Sequence, residues 1–98
     1  MRISRIDRNQ PDIVRHLRAN HWSVHITSTL RGGFPDAIAA RDGFTAVVEI
    51  KDGGKPPSAQ RLTLDEQSFK NSWQGVYIIA TSPEDALMRL EAAREGKA

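Results

Sequence analysis

The amino-acid sequence predicts an α/β fold in one domain over residues 1–98, with a central mixed β-sheet and the element order αβββαβα. Three observations predict it. An apolar stripe at helical spacing follows Pro11, and Asp42-Gly43 separates two strand-like runs as a two-residue hairpin does. Two helix starts, Thr63-x-x-Glu66 and Ser82-Pro83, bracket the short run "VYIIA".

Taken in order, Pro11 suits a first helical turn, where its missing N–H costs nothing, and Ile13, Val14 and Leu17 recur on one face of a helix at about 11–20. The alternating, β-branched "VHIT" places a strand at 24–27, and "STLRGG" after it is a flexible connection. Strands at about 36–41 and 44–51 flank Asp42-Gly43, two residues that tolerate the positive φ of a tight hairpin. Glycines and prolines in "DGGKPPS" end the second strand. The capping box at Thr63 and Glu66 then opens a helix at about 64–74. "GVYIIAT" is a short buried strand, and Ser82 as N-cap, Pro83 and the early acids Glu84 and Asp85 begin a last helix at about 83–94.

Composition narrows the setting. The chain has no cysteine, which excludes disulfides and thiolate zinc sites and fits a reducing intracellular compartment. "MRISRIDRNQ" is charged throughout and lacks the apolar stretch of a signal peptide, and "VYIIA" is far too short to span a bilayer, so a soluble protein with no membrane partner is expected. Fourteen Lys and Arg against twelve Asp and Glu leave a net charge of +2, which predicts no partner alone. Its distribution is uneven: residues 1–31 hold six arginines (Arg2, Arg5, Arg8, Arg15, Arg18, Arg31) against Asp7 and Asp12. Such a stretch is either a solvated face or a surface that contacts phosphates.

The hairpin carries the chemistry. Across a two-residue turn Arg41 faces Phe44, and the same register carried outward sets Asp36 opposite Glu49. Opposed residues have Cβ atoms about 4.5–5.5 Å apart, where like charges destabilise. Side chains alternate along a strand, so Lys51 shares the face of Glu49, with Val47 and Ile38, while Ala46, Val48 and Ile50 point to the other. Two readings follow. Lys51 neutralises Glu49 on a solvent face, or the two acids share a hard divalent cation such as Mg²⁺, which accepts carboxylates and keeps positions for water and phosphate oxygens. In the second, the ion makes water more acidic and shields a phosphodiester, and Lys51 positions the water or stabilises the transition state.

Pro35-Asp36 followed by Glu49-Ile50-Lys51 on a hairpin behind a helix resembles the PD-(D/E)XK nuclease superfamily, and the likeness covers nearly the whole chain. "GFPDAIAARDGFTAVVEIK" followed by "PPSAQ" more narrowly resembles the small stand-alone virus-type replication-repair nuclease (VRR-NUC) domains, a group that includes phage proteins and is related to Holliday-junction resolvases. The resemblance implies a restriction-endonuclease-like αβββαβ(α) core and a divalent-metal-dependent endonuclease acting on structured or branched DNA. It implies Mg²⁺ or Mn²⁺ as cofactor and the cytoplasm of a bacterial or phage-infected cell, and because a small chain with one site can cut two strands only in pairs, a C2 homodimer is expected. It makes Asp36 and Glu49 metal ligands, the Ile50 carbonyl a further ligand and Lys51 the catalytic lysine. Relatives commonly add a glutamate from the first helix; the nearest match here is Asp12, one methylene shorter, which reads equally as a first-turn acid favoured by the helix dipole. Gln60 resembles a glutamine that supports the site in many such domains and also reads as an exposed loop or helix-start residue.

Lys55, Arg31 and Arg15 are the candidate nucleic-acid contacts, because "DGGK" and "RGG" allow close backbone approach and Arg forks onto phosphate. "DGGKPP" is no P-loop, lacking both the earlier glycine and the Ser or Thr after the lysine. His16, His21 and His25 have no metal-ligand spacing, and Phe69 and Trp73, four apart, read as a core-facing helical pair rather than a base-stacking platform. The rival from another class is a non-catalytic nucleic-acid-binding module on the same fold, and a third reading is a structural protein that binds neither metal nor nucleic acid.

Overall fold

The computed structural model describes residues 8–96; Arg2, Arg5 and Asp7 of the basic stretch lie outside the described residues. The elements are α1 (Gln10–Ala19), β1 (Ser23–Ile26), β2 (Ala37–Arg41), β3 (Phe44–Ile50), α2 (Pro57–Gln60), α3 (Leu64–Ser72), β4 (Val76–Ala80) and α4 (Pro83–Arg94). One four-stranded sheet runs in the order β1-β2-β3-β4, antiparallel through β3 and parallel between β3 and β4. The fold is therefore α/β with a mixed sheet. No helix among the described residues is long and apolar enough to cross a membrane.

The local signals act as their chemistry requires. Asp42 (φ 52°) and Gly43 (φ 82°) both take the left-handed conformation of a two-residue hairpin, and β2 pairs β3 from Arg41↔Phe44 to Ala37↔Val48. Thr63 and Glu66 form the reciprocal capping box of α3, and the Ser82 hydroxyl accepts from the Asp85 N–H at the start of α4. At the end of α1, His21 takes φ 73° while its N–H and that of Trp22 return to the carbonyls of Arg18 and Leu17. That is a Schellman closure with histidine where glycine is usual.

Alternation sorts the sheet into two faces. Ala37, Ala39, Ala46, Val48, Ile50 and Ala80 join Ile13 and Leu17 of α1 and Ala86 and Leu90 of α4 in the core cluster. The opposite face carries Ile38, Val47 and Tyr77 in one register, with Glu49 two residues further along β3, and Phe69 of α3 packs against Tyr77 there. Two expectations change here. "PPSAQ" forms the one-turn helix α2, because Pro57 presets the φ of a first turn. The pair Phe69 and Trp73 is not core: α3 buries no residue, Trp73 is 39% exposed, and Phe69 is half-buried between Phe34 and Tyr77 with Trp73 stacked outside it. Trp73 is the C-cap residue, in extended conformation past the last turn of α3, where its indole N–H donates to the Val76 carbonyl at 3.2 Å.

Candidate functional site

Asp36 stands one residue before β2, just beyond the last pair of the ladder, Ala37↔Val48, which places it next to the end of β3 that carries Glu49. The ladder stops there for a covalent reason. Pro35 falls opposite Ile50 and has no N–H to offer the Ile50 carbonyl, while its own carbonyl accepts from the buried Thr27 hydroxyl at 2.7 Å. The Asp36 carboxylate takes over the missing acceptor role, receiving the Ile50 N–H at 2.8 Å, and its backbone carbonyl accepts from the Thr27 N–H at 2.8 Å. Asp36 is thus fixed at backbone and side chain against the end of β3. On the other side the Asn9 amide donates to the carbonyls of Lys51 (3.2 Å) and Thr81 (2.9 Å), tying α1 to the ends of β3 and β4.

Glu49 is 3% exposed and Lys51 9%. The Lys51 ammonium lies 3.5 Å from the Glu49 carboxylate and 2.8 Å from that of Glu66, a third acid contributed by α3. Burial, then the charges of Asp36 and Glu66 and a hydrogen bond with Glu66, push the Glu49 carboxyl up to about 9 despite Lys51. Glu66 goes the other way: burial opposes its charge, but hydrogen bonds from Lys51 and the Thr63 N–H outweigh it and hold it below the usual range. For Lys51, burial is likewise outweighed by the bond to Glu66 and the charge of Glu49, so its ammonium is held above its ordinary value. The Tyr77 phenol, beside Val47 on the same face, is pushed up by burial and by the charges of Glu49, Glu66 and Asp36. Near neutral pH the acids thus leave Glu49 protonated, and the cluster is short of positive charge.

Asp36, Glu49 and Lys51 form the floor of a cleft of about 590 Å³. Ile50, whose side chain is 1% exposed in the core on the other face, meets the cleft through its backbone. Lys55, Ser58 and Arg61 line it from the segment around α2, and Thr63 and Glu66 from α3. Gln60 donates to the Lys55 carbonyl at 2.6 Å and the Gly53 carbonyl at 3.4 Å, so it closes the loop that carries Lys55 instead of touching the acids. Asp12 and Arg15 pair with each other on an exposed face of α1 at 2.7 Å and do not line the cleft, and neither does the exposed Arg31.

Asp36, Glu49 and the Ile50 carbonyl present oxygen donors alone, the set that suits a hard divalent cation. A cation would also relieve the shortage of charge that keeps a proton on Glu49. No group of three or more His, Cys, Asp or Glu side chains stands in a ligating arrangement among the described residues. The donors that would hold such an ion are the Asp36 and Glu49 carboxylates and the Ile50 carbonyl.

Sequence reasoning missed Glu66, Arg61 and Ser58. Glu66 had a visible signal, its place in the capping box, but that signal points to the helix and not to the lysine. In comparison with known proteins, the chain matches no family model, no curated protein and no solved structure.

Proposed function

We propose that the chain is a divalent-metal-dependent endonuclease of the PD-(D/E)XK type, in its VRR-NUC form, which hydrolyses DNA phosphodiester bonds. The observation that carries the reading is the convergence of Asp36, Glu49 and Lys51 at the floor of one cleft, on the ends of two paired strands. Asp36, Glu49 and the Ile50 carbonyl would hold Mg²⁺ or Mn²⁺. The ion, when bound, lowers the pKa of water and shields the charge of the phosphate. Lys51 then offers its remaining N–H to the attacking water or to the non-bridging oxygen on which charge develops. The Ile50 N–H anchors the Asp36 carboxylate at the end of β3, so little reorganisation is needed for it to act, and Lys55 and Arg61 at the cleft wall would hold neighbouring phosphates.

The substrate we favour is structured or branched DNA, cut in both strands by a homodimer, since each chain brings one site and paired cuts need two. The test is cleavage of linear, flap and four-way DNA in Mg²⁺ or Mn²⁺ by the wild type, Asp36→Ala and Lys51→Ala, with DNA binding by mobility shift in parallel. The expected result is cutting by the wild type and loss of about 100-fold or more in both variants with binding retained. Wild type that binds every substrate and cuts none makes the chain a nucleic-acid-binding module; binding of neither DNA nor metal sinks both readings. Sedimentation that finds monomer alone, with and without DNA, removes the homodimer.

A further inference from the structure

We propose that Glu66 is the positioning residue of this site: it holds the Lys51 ammonium in place over the cleft floor and so couples the docking of α3 to catalysis. The inference rests on the nuclease reading for its catalytic consequence and on geometry for the rest. The shortest polar contact of Lys51 is with Glu66, at 2.8 Å, against 3.5 Å to Glu49. The same Glu66 oxygen, Oε1, also accepts from the Thr63 N–H at 2.8 Å, and the Thr63 hydroxyl accepts from the Glu66 N–H at 3.1 Å. The carboxylate therefore has its rotamer set from both ends before it meets the lysine.

A lysine has four rotatable side-chain bonds and three donors, so its ammonium finds one position only where acceptors fix it. At the end of β3 one acceptor, Glu49, is engaged by the acid cluster, and Glu66 supplies the second from a different element. The helix itself is located by backbone contact. Gly33, at φ 76°, lies so close to the first turn of α3 that a Cβ there would collide with the backbone of Asp65 and Glu66. The connection just before Pro35-Asp36 thus packs directly against the backbone of the residue that holds Lys51.

The test compares wild type, Glu66→Ala and Glu66→Gln in two measurements. The first is a proton–nitrogen correlation spectrum of the lysine ammonium groups, assigned with Lys51→Ala. A buried ammonium bonded to two acceptors exchanges its protons slowly, so the Lys51 signal is expected in the wild type, lost or exchanging about tenfold faster in Glu66→Ala, and regained in Glu66→Gln, whose amide oxygen still accepts. The second is cleavage kinetics: kcat falls about tenfold or more in Glu66→Ala with KM within about twofold, and Glu66→Gln recovers at least about a third of it.

An unchanged Lys51 signal in Glu66→Ala overturns the proposal, as does an unchanged kcat or a Glu66→Gln as impaired as the alanine. A rise in the Mg²⁺ needed for half-maximal rate that accounts for the whole loss also overturns it, making Glu66 a ligand instead. Wild type that cuts no substrate refutes the nuclease reading and the catalytic consequence with it, while the spectra still pass or fail the placement of Lys51 by Glu66.

Discussion

Replacing Glu49 by Gln gives the sharpest test of the electrostatics of the cleft, and it needs no substrate. The Glu49 carboxyl rises from an ordinary 4.5 to about 9 because it is buried beside two other acids. Between those values the folded chain holds a proton that the unfolded chain has released, so stability falls as pH rises through the window. Each unit above 4.5 removes about 1.4 kcal/mol, which makes the deficit at pH 7 about 3 kcal/mol. Glutamine has the same shape, carries no charge at any pH and can still donate to Glu66. The variant should therefore match the wild type near pH 4.5 and exceed it by about 2–3 kcal/mol at pH 7, in urea unfolding with a chelator present. The wild type should recover part of the difference when Mg²⁺ is added, because a cation takes the place of the proton, and the variant should not. A stability difference that stays flat from pH 5 to pH 8, or a variant less stable than the wild type at pH 8, refutes the reasoning.

Two further substitutions separate scaffold from chemistry. Gly33→Ala should cost about 2–4 kcal/mol and lower the melting temperature by about 10 °C or more, whereas Gly32→Ala, at nearly the same φ but with open space for a Cβ, should cost about 1 kcal/mol; equal effects would show that the approach to α3 is not what requires glycine. Asp36→Asn keeps an oxygen for the Ile50 N–H, so unfolding should change by about 1 kcal/mol or less while cleavage falls about 100-fold; a collapse of stability instead would make Asp36 a structural residue first.

Much of the fold was legible because its signals are local. Asp42-Gly43 set the register of β2 against β3, and with it the side of the sheet on which Glu49 and Lys51 emerge, since a slip of one residue would have turned both into the core. Capping chemistry located the starts of α3 and α4 to the residue. What escaped was decided by packing between distant elements. Trp73 carries the same sequence spacing as a core residue, yet whether it is enclosed depends on how far α3 extends over the sheet, and no window of sequence holds that distance. Asp12 and the candidate phosphate contact Arg15 failed to reach the cleft for the same reason: α1 meets the end of β3 through Asn9, and the Asp12–Arg15 pair lies on an exposed face of the helix, while Arg31 lies exposed in the connection between β1 and β2.

Glu66 shows why a correct local reading can hide a functional one. The capping box explains the residue completely at the level of the helix, because its carboxylate accepts from the Thr63 N–H while its own N–H donates to the Thr63 hydroxyl. Nothing in that account asks for a cation. Yet the cap fixes the carboxylate rigidly, and rigidity is what a partner such as Lys51 lacks, so the geometry made for the helix terminus is reused for the ammonium 15 residues away. The two roles support each other energetically: the bond to Lys51 keeps Glu66 charged, and a charged carboxylate at a helix N-terminus stabilises the helix through its dipole. A buried lysine near the end of a strand should therefore be matched first to the acids of whichever helix the chain folds back over it, including acids whose presence a capping motif has already explained.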